Sequence, residues 1–194
     1  MEYIYKGKTI KIEQDENTES PREWDNIGIM VCFHCRYELG DKNTGYSKKD
    51  YDSWDELEAQ IKKEGAIVIL PLGLYDHSGI TMYVGNSHDQ WDGGQVGFIY
   101  TTKEQLEKMG TKASKKKIEQ YLRNEVKVYD QYLTGDVYGF VTDDDSCWGF
   151  YGEDEAKKEA ESTVDYQIAR EQKEHEKKLK AQILHSVPLQ YRLA

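Results

Sequence analysis

The stretch DQYLTGDVYGFVTDDDSCWGFYG, residues 130–152, decides the fold. It closes one helix, makes a tight β-hairpin and opens a second helix. Upstream of it, Ile118, Tyr121, Leu122, Val126, Tyr129, Tyr132 and Leu133 recur at helical spacing, with Glu125 the one polar member of the stripe. That spacing predicts a helix over residues 114–133, ended by Gly135 as a left-handed cap. Val137, Gly139 and Val141 then alternate with Tyr138 and Phe140, which is the period of a strand. Asp143, Asp144, Asp145 and Ser146 make a turn, and residues 147–151 a returning strand. Gly139 and Gly149 each mark a bulge or a close approach of a ring or backbone. Tyr138, Phe140, Trp148 and Phe150 are expected in or near the core, because such rings bury large apolar areas.

Working outward, residues 3–12 read as a hairpin turning at Lys6-Gly7-Lys8. The apolar run IGIMVCFHCRYEL, residues 27–39, predicts a central strand. Ser53 with Glu56 is a capping box for a helix to about Lys63 that turns Trp54, Leu57 and Ile61 inward. Residues 66–74, AIVILPLGL, predict a buried strand with Pro71 and Gly73 disturbing its far end. Strands are expected over 80–84 and 95–101, then a short helix capped by Thr101 or Thr102. The last helix runs from Asp154 to about Leu184. Ala156, Ala160, Val164, Ile168, Leu179 and Ile183 mark its apolar stripe, whose first half can dock on the domain, while its middle, REQKEHEKK (170–178), is solvated. The expected class is α+β, a mostly antiparallel sheet with packed helices and a long C-terminal helix. Residues 1–152 form the domain. Residues 153–194, the helix and an apolar tail, pack on that domain or on a second copy.

The chain has 194 residues and a net charge of −10, with 36 acids against 26 Lys and Arg. That balance disfavours general nucleic-acid binding, which needs clustered cations, and favours a basic partner surface. No run of about 18 apolar residues is present, so no membrane span is expected. The first residues, MEYIYKGKTI, lack an apolar signal core, which places the product in the cytoplasm. Three cysteines do not suggest a disulfide framework. Cys32 and Cys35 form a C-x-x-C, but residues three apart on a strand point to opposite faces, so a shared metal or redox role is not expected.

The segments ESPREWDN (19–26), LYDHSGI (74–80), WDGGQVGFIY (91–100), DQYLTGDVYGF (130–140) and DSCWGFYG (145–152) together resemble a family carried by phages, plasmids and other mobile elements of bacteria. The resemblance covers residues 19–152 and brings no catalytic residue with it. Small acidic proteins of such elements that lack enzymatic motifs resemble inhibitors of host defence, of the anti-CRISPR or antirestriction kind.

The leading expectation is therefore a binding protein of the bacterial cytoplasm. It would occupy the basic channel of a CRISPR effector or another defence nuclease, its carboxylates standing in for phosphates. The candidate contact residues are Asp15, Glu16, Glu19, Trp24, Asp143, Asp144 and Asp145. Trp24 is either a lid folded over the core or an exposed anchor, and the usual burial of isolated large aromatics favours the lid. No cofactor is expected, and a homodimer through the C-terminal helix and tail is a further expectation. The alternative is a metal-dependent hydrolase or nuclease built on loop residues, with Asp76 and His77 the first candidates after a buried strand. It requires them to converge with Asp25, His34, His88, Asp89, Asp92, Asp130 or Asp136. A third reading is a small-molecule-binding domain.

Overall fold

The computed structural model describes residues 1–85 and 93–186. Its α+β fold divides into two compact units, one joining residues 1–15 to the chain from Tyr138 onward, the other spanning residues 16–137. The units are thus drawn differently from the expected 1–152 plus 153–194. The reason is strand pairing: the first residues of the chain hydrogen-bond to the hairpin that precedes the last helix.

In the first unit, β1 (Glu2–Tyr5), β2 (Lys8–Gln14), β7 (Val137–Thr142) and β8 (Ser146–Tyr151) form an antiparallel sheet in the order β1-β2-β7-β8. Ile10 pairs with Thr142 and Ile12 with Phe140. One face is covered by α4 (Glu153–Ser186), which seats Ala156, Ala160 and Val164 against Ile10, Ile12 and Phe140. The two alanines let the helix come close to the sheet, where each apolar contact is gained at short range. Ile168 is half-buried, and residues 169–185 are all exposed.

The hairpin has the expected turn, with one correction, at Trp148. Phe140 is buried and stacks on Phe150 at 5.6 Å. Trp148, expected near the core, is 46% exposed. Gly149 has φ +87°, a left-handed conformation that glycine adopts without penalty. That kink lets residues two apart face opposite ways: Phe150 joins the α4 side, while the Trp148 ring lies over Gly139 on the other face. A Cβ at residue 139 would sit 2.2 Å from that ring.

In the second unit, β3 (Ile29–Cys32), β4 (Ala66–Asp76), β5 (Ile80–Val84) and β6 (Gly93–Thr102) form an antiparallel sheet in the order β3-β6-β4-β5. Helix α3 (Lys115–Thr134) covers one face with Ile118, Leu122, Val126 and Tyr129, meeting Leu70, Leu72, Leu74 and Met82. Helix α1 (Trp54–Lys63) covers the other face with Leu57 and Ile61, meeting Val31, Phe98 and Tyr100. Burial on both faces explains why β4 and β6 read as continuous apolar runs rather than alternating ones. Ser53 caps α1 by accepting from the Glu56 N–H, Thr102 caps α2 (Lys103–Lys108), and Gly135 ends α3 at φ +71°.

The strand expected over 27–39 is only four residues long, and it lies at the sheet edge rather than the centre. His34 ends it: its Nδ1 accepts the N–H groups of Arg36 and Tyr37 at 3.2 and 3.3 Å and bends the chain away. The outer edge of β3 is instead occupied by the loop at Gly40 and Asp41. The Asp41 N–H donates to the Met30 carbonyl at 2.8 Å, and the Met30 N–H donates to Asp41 Oδ2 at 2.9 Å.

Arg22 lies behind that edge with its side chain 4% exposed. It donates from Nε and Nη2 to the two Asp41 oxygens at 2.7 and 3.0 Å, and from Nη1 to Glu125 Oε2 at 3.0 Å. Nη2 also donates to the Gly28 carbonyl at 2.7 Å. Glu125 accepts from the Ile27 and Gly28 N–H groups at 2.9 and 3.2 Å. Burial alone would lower the Arg22 guanidinium, but hydrogen bonding and charge from Asp41, then Glu125, hold it above its ordinary value. Burial raises the Glu125 carboxyl above the usual 4.5, against the pull of Arg22 and of these two N–H groups.

Removing Arg22 should therefore strand two largely buried carboxylates. Arg22→Met should cost about 3–5 kcal/mol at neutral pH, read from urea unfolding. The sign of its pH dependence follows from Glu125. An acid whose folded pKa is raised contributes stability that is present below its unfolded value and lost as pH rises through the folded one. Without Arg22 that shift grows, so the penalty should be smaller near pH 4.5 than at neutral pH.

Candidate partner-binding surface

The acidic turn stands on a stable base. Thr142 Oγ1 accepts the Asp145 N–H at 3.0 Å and donates to the Asp145 carbonyl at 3.1 Å, and the Thr142 N–H donates to the same carbonyl at 2.8 Å. The Asp145 carboxylate accepts the Ser146 N–H at 2.8 Å. Asp143, Asp144 and Asp145 are all exposed. The nearest cation is Lys8, whose Nζ is 3.7 Å from Asp144 but 2.9 Å from Glu171. One lysine thus stands between two carboxylates, and the turn keeps a negative excess. Trp148 lies on the edge strand just beyond it, with its ring exposed on the face opposite α4.

The first acidic segment is split between the units. Asp15 is half-buried and belongs to the first; Glu16 and Glu19 are exposed and belong to the second. Arg22 is not their counter-charge, because it is turned inward to Asp41 and Glu125. Glu23 has its own partner in Lys42 at 3.3 Å. Trp24 is 48% exposed, so it is not the lid that was expected. The reason lies next to it: the 3-10 turn Pro21–Glu23 is pinned by Arg22, and the Asn26 amide donates to the Pro21 and Trp24 carbonyls at 2.8 and 3.0 Å. The chain reverses with the indole outside. Trp24 walls an open groove of about 420 Å³, with Ile27, Tyr121 and Val128 among its lining.

The Asp and His residues of the alternative reading mostly serve separate local purposes. Asp76 is engaged by the Arg36 guanidinium and lies 4.0 Å from His34 Nε2. His77 is exposed, its ring 6.2 Å from that of Tyr75. Asp130 accepts the Met82 N–H at 2.7 Å, and burial raises its carboxyl. Asp136 accepts from the Gln131 amide at 2.9 Å. Among the described residues, His34 and Asp76 come together, and Asp136 lies near enough to Asp130 to raise its carboxyl further. His88, Asp89, Trp91 and Asp92 lie outside the described residues. Among the described residues, no group of three or more His, Cys, Asp or Glu side chains is placed to hold a metal.

Among the described residues, His34 is the histidine next to Cys35 in the chain, and both of its ring nitrogens are engaged. His34 Nδ1 accepts two backbone N–H groups, so its single proton in the neutral ring is on Nε2, facing Asp76. No ring nitrogen is left to activate Cys35. Burial pushes the Cys32 thiol up to about 12, with Asp41 adding to the shift. Cys35 and Cys147 are exposed and belong to different units.

No protein-family model, no curated protein and no solved structure matches the chain. No helix among the described residues is long and apolar enough to cross a membrane.

Two outcomes follow for the purified protein. A maleimide should label Cys35 and Cys147 promptly and reach Cys32 only on unfolding, because the attacking species is the thiolate. Manganese, magnesium, calcium or zinc should leave the melting temperature unchanged, since a ligand of the folded state alone would raise it. A rise abolished by Asp76→Asn would restore the metal-enzyme reading.

Proposed function

We propose that this protein acts by binding rather than by catalysis. The turn Asp143–Asp145 enters a basic, nucleic-acid-binding surface of a protein partner, and Trp148 anchors the contact. The partner class is a defence nuclease of a bacterial host, a CRISPR effector or a restriction enzyme, inhibited by a mobile-element product.

The observation that carries this reading is the pairing of three exposed carboxylates with an exposed indole on one hairpin. Carboxylates on a short turn present oxygen acceptors to Lys and Arg as a phosphate run does. An exposed tryptophan beside them supplies the desolvated anchor that dominates many interfaces. The net charge of −10 adds long-range attraction to a cationic channel. The resemblance of residues 19–152 to mobile-element proteins directs the choice of partner.

The experiment adds the protein to DNA-cleavage reactions of purified CRISPR effectors and restriction nucleases. One of them should be inhibited, with relief by excess DNA. D143N/D144N/D145N keeps the acceptors that hold the turn and removes its charge, so it should weaken inhibition at least about tenfold. The loss should act mainly on association and shrink as salt rises, because such attraction is screened over about 8 Å at physiological ionic strength. Trp148→Ala should weaken inhibition at every salt concentration. Inhibition equally strong in the triple variant at low and high salt would refute the acidic-turn mechanism.

A further inference from the structure

Helix α4 is 34 residues long, and only its first half has a core to lie on. Residues 169–185 are exposed all round. A solvated helical segment of that length is marginal in water unless something supports it. Its charge is sorted along the axis. Residues 153–176 hold nine acids and four bases, whereas residues 177–185 hold three lysines and no acid.

The sorting is sharpest on one solvent-facing ridge. Glu155, Glu159, Tyr166, Lys173, Lys177 and Lys180 follow one another along it in steps of three, four or seven, and all are exposed. Tyr166 is 69% exposed. Each end of this ridge repels itself: Glu155 stacks on Glu159, and Lys173 on Lys177 on Lys180, at the spacings where like charges destabilise a helix. Glu155 has Lys158 at 3.7 Å, and the further ion pair within α4 joins Lys157 to Glu153. Among the described residues, Lys173, Lys177 and Lys180 form no ion pair.

We propose that this ridge pairs antiparallel with the same ridge of a second copy, about a twofold axis between residues 169 and 170. Glu159 then faces Lys180 of the other copy and Tyr166 faces Lys173, both pairs centring on that axis. In the same register Ser162 faces Lys177 and Glu155 faces Leu184. A parallel arrangement would set acids on acids and lysines on lysines. The antiparallel one also opposes the two helix dipoles. With few apolar side chains on the ridge, the association is electrostatic and salt-sensitive. It requires no other partner, so its test is independent of the nuclease reading.

The test is sedimentation velocity of the full chain at low salt, over roughly 1–200 µM. The protein should form a dimer that dissociates as salt rises. Lys180→Glu and Glu159→Lys should each weaken it at least about tenfold, because in a twofold interface every substitution acts twice. The double reversal E159K/K180E should return the affinity to near that of the parent. Circular dichroism should show equal helix content in all variants, since the altered positions are exposed. A monomer at every concentration would overturn the proposal. So would a dimer indifferent to the single reversals, or one that the double reversal does not restore.

Discussion

Arg22 is the constraint on which the second unit depends. A buried guanidinium is tolerated only when its donors are matched, and here they are taken by Asp41, Glu125 and the Gly28 carbonyl. Those partners come from a loop, a helix and the approach to a strand, far apart in the chain. The same two carboxylates also accept the N–H groups of Ile27, Gly28 and Met30. The cluster therefore fixes where β3 begins, closes its outer edge and sets α3 against it. An exposed edge strand is a template for unwanted pairing, and the Gly40–Asp41 loop removes it. Turning Arg22 inward also turns Glu23, Trp24 and Asp25 outward.

The two sheets solve the problem of covering their faces differently. The sheet of β3 to β6 has helices on both sides, and the middle of β4 and of β6 is apolar on both faces. The sheet of β1, β2, β7 and β8 has α4 on one face, and β2 alternates there, with Ile10 and Ile12 buried and Lys11 exposed. The hairpin at its edge carries the acidic turn and Trp148 outward on a rigid support. The proposed binding surface would gain from that support, because less conformational freedom is lost when a partner arrives.

The acidic turn was legible in the sequence because it is a local feature: three consecutive aspartates between two short strands can only be a turn. The exposure of Trp148 was not legible. It depends on the left-handed backbone of Gly149, which reverses the facing of a single residue. Trp24 misled for a related reason. Composition says that tryptophan is usually buried, whereas the Arg22 anchor two residues earlier decides which way this one points. Glu125 did leave a signal, as the one polar residue in an otherwise apolar stripe. Its partner could not be named, because nothing local relates residue 125 to residue 22.

The sequence by itself determined the elements: the helix caps at Ser53, Thr102 and Gly135, the paired hairpin strands, and the docking stripe of α4. These follow from spacing and from side chains acting on neighbours within four residues. Only the tertiary structure decided that residues 1–15 pair with the hairpin beyond residue 137. It alone placed β3 at an edge, enclosed Arg22 between two carboxylates and brought Asp76 to Arg36 and His34. The physical reason is range. Caps, turns and amphipathic stripes are set by contacts a few residues apart. Strand order and buried ion clusters join residues separated by about a hundred positions, and their energies exist only once the chain has folded.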